Sequence, residues 1–137
     1  MSNHATSSFN VTGWDQTPYD DGVPGPVMGR ATVKKTFTGD LEGESVAELL
    51  LCQADAKDIK AGAGFIGSER VTGRLGEREG SFVMQHWGVI DGDAPPRTGG
   101  SIIPGSGTDG LTGITGAVEI SVDAEGKHTL TLDYEIS

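Results

Sequence analysis

The sequence contains little of what several common protein classes require. It has a single cysteine, Cys52, so no internal disulfide can form. Only 10 Lys and Arg residues stand against 20 Asp and Glu residues, which gives a formal net charge of −10. Because phosphate backbones and anionic membrane surfaces are bound by clustered Lys and Arg, we expect neither nucleic acid nor a membrane as a partner.

Apolar runs of membrane-spanning length are also missing, and the N-terminal residues MSNHATSS have neither the basic nor the apolar region of a signal peptide. These absences predict a cytoplasmic protein. The three histidines, His4, His86 and His128, lie far apart in the chain without a second His or Cys at metal-ligand spacing. The sequence therefore predicts no metal ion.

Two glycine-rich segments, residues 62–67 and 105–110, match the dinucleotide-binding pattern G-x-G-x-x-G. That pattern needs a strand before it and a helix after it, so that the helix N-terminus meets the pyrophosphate. The residues after each segment are instead strand-like and interrupted by glycine. No serine stands in a G-x-S-x-G nucleophile elbow either. We therefore expect no cofactor and no serine-triad chemistry.

The sequence is rich in glycine, with 22 residues spread along the chain between short runs of alternating apolar and polar residues. The alternation predicts strands, and the glycines predict turns and bent strands. Residues 1–7 are expected to be a frayed tail and residues 15–26 a long loop. The eight expected strands cover residues 9–14, 28–37, 45–53, 64–75, 80–90, 98–103, 116–122 and 129–136. The prediction is one all-β domain, an eight-stranded antiparallel barrel.

The most informative part of this pattern is a hairpin of two long strands, residues 64–75 and 80–90. One of its faces is mostly apolar yet carries a carboxylate, Glu69, and an imidazole, His86. A turn over residues 76–79 would pair positions whose numbers sum to about 155, which places Glu69 directly opposite His86. Side chains in that relation lie about 5–8 Å apart at Cβ.

Two more charged residues fall on faces that are otherwise apolar. Alternation places Lys35 inward on the second strand and Glu48 inward on the third, with Cys52 beside Glu48 as a core residue. Burying a charge is costly unless it is paired. Lys35, Glu48, Glu69 and His86 could therefore serve only to satisfy one another. The alternative is an acid–base site in a low-dielectric cavity, where pKa values shift readily.

Six stretches that together span nearly the whole chain carry a family resemblance: Trp14-Asp15 and residues 35–43, 67–73, 80–86, 104–108 and 132–134. In this order they resemble a bacterial family of small proteins of unknown function with an allene oxide cyclase-like barrel. The resemblance implies a calycin-type barrel of eight strands with an interior cavity. It implies no particular reaction, although related barrels steer the cyclisation of reactive, mostly apolar intermediates.

The resulting hypothesis is a barrel that binds a small, largely apolar organic molecule and catalyses its isomerisation or cyclisation. The expected ligand contacts are Trp14, Phe37, Phe65, Phe82, Met84 and Tyr134. Two alternatives stay open: a non-catalytic carrier, and a barrel filled by its own side chains that acts through surface contacts with proteins. An interior cavity of roughly 300 Å³ or more would favour binding.

Assembly can be predicted from the opposite face of the same hairpin. Val83 and Trp87 point outward there and would form an apolar patch on the barrel surface. We therefore expect a homo-oligomer, a dimer or larger.

Overall fold

The computed structural model describes residues 3–19 and 22–137 and is a closed antiparallel barrel of eight strands. The strands are β1 (Asn3–Tyr19), β2 (Val27–Gly39), β3 (Leu41–Gln53), β4 (Ala63–Leu75), β5 (Arg78–Ile90), β6 (Arg97–Ile102), β7 (Ile114–Val122) and β8 (His128–Ile136). Each strand pairs with the next along the chain, and β8 pairs with β1. The predicted fold class is confirmed.

β1 begins earlier than the sequence indicated. Its ladder with β8 starts at Asn3, and Ala5 and Ser7 are buried. The Ser7 hydroxyl donates to the backbone carbonyl of Leu41 and accepts from the Leu41 N–H. The prediction of a frayed tail is therefore wrong for residues 3–7, because this segment pairs with β8 and buries Ala5 and Ser7. Residues 1–2 lie outside the described residues.

β1 also ends later than expected, since it continues through residues 15–19 of the predicted loop. Its pairing with β2 shifts by one residue between Val11 and Gly13, which marks a β-bulge at Thr12. Directly opposed residues of an antiparallel pair point to the same face. Because Trp14 lies opposite the buried Val33, the bulge turns Trp14 to the inner face.

The central hairpin is tighter than predicted. Leu75 pairs with Arg78, so the connection is the two-residue turn Gly76-Glu77. Gly76 has φ of 61°, a left-handed value that glycine adopts without strain. Paired positions therefore sum to 153, and Glu69 lies opposite Met84 instead of His86. The predicted register is wrong by two residues, which keeps every side chain on its predicted face.

β3 shows the opposite alternation from the one predicted. Its buried residues are Leu41, Ser45, Ala47 and Leu49, so the odd-numbered side chains point inward. Glu48 and Cys52 are exposed on the outer face, and both inward assignments are wrong. The run Leu49-Leu50-Leu51 supplies an apolar residue to either face, which left the alternation ambiguous in the sequence.

The interior divides into two apolar clusters. We call the end where β1 finishes and β2 begins the upper end. The larger, lower cluster contains Ala5, Phe9, Phe37, Leu41, Val71, Leu75, Phe82, Met84, Ile102, Leu111, Ile114, Val118, Leu130 and Leu132, with Ile120, Tyr134 and Ile136 packed against it. The smaller, upper cluster contains Ala31, Val33, Ala47 and Leu49, with Leu51 and Phe65 packed against it. No helix within residues 3–19 and 22–137 is long and apolar enough to span a membrane.

The hydrogen bonds between Ser7 and the backbone of Leu41 allow a test of whether the first residues of β1 stabilise the barrel. Ser7→Ala should lower the free energy of unfolding by about 1–3 kcal/mol, because it leaves a buried N–H and carbonyl without a partner. Ser8→Ala on the same strand is the control, since Ser8 is half-buried and its hydroxyl bonds the exposed Thr38 hydroxyl. Urea unfolding of both variants measures the difference. Equal stabilities would mean that the N-terminal residues do not hold the barrel.

Candidate functional site

Four polar side chains meet inside the barrel, one from each of the four longest neighbouring strands after β1. They are Lys35 of β2, Ser45 of β3, Glu69 of β4 and His86 of β5, and we call them the polar quartet. All four are buried, and Glu69 is 0% exposed. By strand register, the quartet lies between the lower and the upper apolar clusters. The sequence predicted Lys35, Glu69 and His86 at this place and missed Ser45, because the alternation of β3 was inverted.

The carboxylate of Glu69 is the acceptor at the centre of the quartet. Its Oε1 accepts from Lys35 Nζ at 2.9 Å and from His86 Nε2 at 2.8 Å, and its Oε2 accepts from Ser45 Oγ at 2.5 Å. The Lys35 ammonium also lies 4.6 Å from the centroid of the Phe9 ring, a cation–π distance. Three donors from three different strands thus fix one carboxylate.

The environment of Glu69 favours its ionised form. Burial by itself would raise the pKa of this carboxyl. The hydrogen bond from His86, the positive charge of Lys35 and the hydrogen bonds from Ser45 and Lys35 together outweigh burial and lower the pKa from 4.5 to about 2. Glu69 is therefore a structural anion that accepts hydrogen bonds, and it is a poor proton donor at neutral pH.

This arrangement assigns the tautomer of His86. An ionised carboxylate can only accept, so the proton of the hydrogen bond between His86 and Glu69 belongs to Nε2. The other ring nitrogen, Nδ1, is buried and has no hydrogen-bond partner among the residues that the structure describes. Buried polar atoms are nearly always paired, so an unpaired one in the interior is a candidate contact for a ligand.

Above the quartet the barrel opens. β7 and β8 have nine residues each, and β8 pairs with β1 only as far as Phe9. β6 pairs with β7 only through Ser101 and Ile102. From Asn10 onward, β1 therefore has no ladder partner on its β8 side within the described residues. The inner face of the upper end is open to solvent along this gap.

Three of the side chains on that open inner face are apolar and exposed. Trp14 and Val11 of β1 lie opposite inward residues of β2, and Val27 of β2 lies opposite the inward Gln53. They are nevertheless 53%, 42% and 46% exposed, respectively. Apolar side chains that point into a barrel and remain accessible are typical of a ligand-binding wall.

Two inward glycines make room for side chains of the upper cluster. Phe65 packs against Gly88, where an added Cβ would come within 2.6 Å of its ring, and Leu49 packs against Gly67 in the same way. Phe65 also meets the ring of His86 edge-on, with centroids 5.7 Å apart. Phe65 thus packs between Gly88 and the imidazole of His86.

The remaining predicted site residues separate into three groups. Trp14 and Phe65 belong to the upper end, beside the quartet. Glu48 points outward, where its carboxylate accepts from the Thr32 hydroxyl at 3.0 Å, so it cannot join the interior groups. The other four lie in or against the lower cluster, below the quartet, and pack there with other side chains: Phe37, Phe82, Met84 and Tyr134.

Two grooves of about 590 and 690 Å³ lie on the outer surface. The first is lined mainly by outward-facing residues of β2–β5 such as Lys34 and Arg70, although three residues of the quartet, Lys35, Ser45 and Glu69, also border it. The second includes Glu79 and Asp109 at the lower end of the outer surface. Both are outside the barrel, so neither is the interior cavity that the sequence predicted. Among the described residues, no three His, Cys, Asp or Glu side chains group together to hold a metal ion.

The depressed pKa of Glu69 predicts a specific pH dependence. A carboxyl whose pKa is lower in the folded state stabilises the fold above its unfolded value, and this stabilisation is lost as pH falls from about 4.5 toward 2. The wild type should lose about 3 kcal/mol across this window relative to Glu69→Gln, measured by urea unfolding at each pH.

The matched control is Glu42→Gln, whose ion pair with Arg74 is about half-exposed and therefore contributes little. Its stability should follow the wild type at every pH. A constant offset between the wild type and Glu69→Gln, without a change across the window, would contradict the assignment of Glu69 as a buried anion.

Comparison with known proteins agrees with this architecture. Residues 5–134 match the family described as "Protein of unknown function (DUF3224)". The crystal structure of a protein with unknown function from this family, from Shewanella oneidensis MR-1, is similar, with a TM-score of 0.82 and 34% sequence identity over 100% of this chain and 98% of that chain. No curated protein matches the chain. The predicted resemblance to a bacterial family of unknown function is confirmed, and the chain belongs to the DUF3224 family.

Proposed function

We propose that the upper end of the barrel binds a small, largely apolar organic molecule. The observation that carries this proposal is the exposure of inward-pointing apolar side chains, Trp14 above all, directly above a buried polar quartet. A barrel gains no stability from exposing a tryptophan on its concave face, whereas a ligand that covers it would bury apolar area at about 25 cal/mol per Å². The quartet would form the floor of this site.

The packed lower cluster limits how deep such a ligand could reach. Phe82 and Met84 are fully buried, so the space below the quartet is filled by the protein itself. The interpretation of a filled barrel therefore fits the lower half, and the binding interpretation applies to the upper half. A molecule held there would touch Trp14, Val11 and Phe65 with its apolar part and approach His86 with its polar part.

Catalysis of isomerisation is the second candidate, and the free Nδ1 of His86 favours it. In this reaction Nδ1 would take a proton from a carbon next to a carbonyl, and the resulting imidazolium would return it to a different carbon of the same molecule. The Glu69 carboxylate would stabilise the imidazolium through Nε2.

The Glu69→Gln variant distinguishes a carrier from a catalyst. A carrier with this substitution would keep its ligand, whereas a catalyst would still bind the ligand but stop turning it over. Native mass spectrometry of the purified protein would identify the ligand for this comparison.

The two tryptophans of the chain, Trp14 inside and Trp87 outside, provide a direct test of the binding site. In Trp87→Phe the only tryptophan is Trp14, and bromodecane, whose bromine quenches indole fluorescence on contact, should quench it in a saturable way. In Trp14→Phe the only tryptophan is Trp87, which should show no saturable quenching. Saturable quenching of Trp87 alone would place binding on the outer surface and contradict the proposal.

We also propose that the chain forms a homo-oligomer through the outer face of β3, β4 and β5. Leu50, Ile66 and Trp87 lie directly opposite one another on these strands and are 52%, 58% and 41% exposed. We call them the outer apolar row. Val83, also predicted for this patch, is only half-exposed, beside a loop whose Ser106 hydroxyl accepts from the Val83 N–H. A cytoplasmic location likewise remains a prediction.

Ile66→Glu tests the outer apolar row, because it places a charge at its centre. The wild type should sediment at tens of micromolar as a dimer or larger, and Ile66→Glu should sediment as a species of 14.2 kDa. Ser121→Glu on the exposed outer face of β7 is the control and should sediment like the wild type. A wild type that already sediments as a monomer would refute the proposed assembly.

A further inference from the structure

The charges and hydrogen bonds of the polar quartet indicate the chemical class of the ligand as well as its position. Two of its members carry compensating charges, the ammonium of Lys35 and the carboxylate of Glu69, whose atoms are 2.9 Å apart. Their charges sum to zero, so a neutral His86 leaves the buried quartet uncharged. A single imidazole proton keeps this balance, and the hydrogen bond to Glu69 places that proton on Nε2. Nδ1 then presents a lone pair and can only accept a hydrogen bond.

No other charge on the surrounding wall changes this balance. By register, the inner faces of β1–β6 above the quartet carry Trp14, Gln16, Leu51, Phe65 and Thr98 among their larger side chains, and the charged residues of these described segments point outward. On β8, His128 faces inward, where its ring packs against that of Phe9 with centroids 5.1 Å apart and a tilt of 41°. The inner faces of these strands thus carry no charge above the quartet, and His86 Nδ1 is the buried acceptor there that lacks a partner among the described residues.

We infer that His86 Nδ1 selects a neutral ligand that carries a hydrogen-bond donor, such as a hydroxyl group, on an apolar body. This inference rests on the proposed function and names the ligand class for the same site. A hydroxyl would satisfy the buried nitrogen, and its apolar body would cover Trp14 and Val11. A carboxylate on the same body would not satisfy the nitrogen, because it has no proton to donate at neutral pH and its charge would be buried without a counterion.

Three compounds of equal chain length separate these possibilities: decanol, its methyl ether and decanoate. Binding is followed by Trp14 fluorescence in Trp87→Phe. Decanol should bind about tenfold more tightly than the ether, which accepts but cannot donate, since one buried acceptor gains a partner. Decanoate should bind no better than the ether. In His86→Phe, combined with Trp87→Phe, the ether should still bind and the preference for decanol should disappear.

A second measurement is made with His86 intact, so that its result does not depend on whether a His86 variant folds. The ¹⁵N chemical shifts of His86 should show Nε2 protonated in the free protein and a change at Nδ1 when decanol, but not its ether, is added. Equal affinity for decanol and the ether, or tighter binding of decanoate, would overturn the inference and leave the proposed site standing. If none of the three compounds alters Trp14 fluorescence, both the inference and the proposed function fail.

Discussion

The burial of the Glu69 carboxylate is the constraint on which the other features of this barrel depend. An ionised group with no solvent exposure needs several hydrogen bonds and a counterion, and Lys35, Ser45 and His86 supply them from β2, β3 and β5. A slip of one residue at any of these ladders would turn a donor to the outer face. The network therefore specifies the register of four consecutive strands, which hydrophobic alternation alone specifies only in part.

The same constraint divides the interior into a stable half and an open half. Below the quartet, the lower cluster closes the barrel with contributions from all eight strands and from Leu111 in the β6–β7 connection. Above it, only β1–β6 continue, and the wall is incomplete where β7 and β8 stop. The packing of the lower cluster holds the quartet in place. The fold therefore does not depend on burial of the apolar side chains at the upper end.

Much of this could be predicted from the sequence, and the failures have identifiable physical causes. The alternation in β2, β4 and β5 was unambiguous, so Lys35, Glu69 and His86 were correctly placed inside. β3 was inverted because three consecutive leucines fit either face, which assigned Glu48 to the interior and hid Ser45. The turn after Leu75 is two residues long, and a glycine-rich stretch gives no signal that separates two residues from four. The bulge at Thr12 likewise has no sequence signature.

That bulge matters most for the proposed site. Continuous alternation from Phe9 would place Gly13 inside and Trp14 outside. One inserted residue reverses this and brings Trp14 onto the wall, in the ladder row that leads through Val33 and Ala47 to Glu69. β1 and β5 are four strands apart around a ring of eight, so Trp14 lies on the wall opposite the strand that carries His86. The inserted residue therefore places the exposed Trp14 side chain on the wall that faces the unpaired Nδ1 of His86. A ligand with an apolar body and a single polar group requires this arrangement.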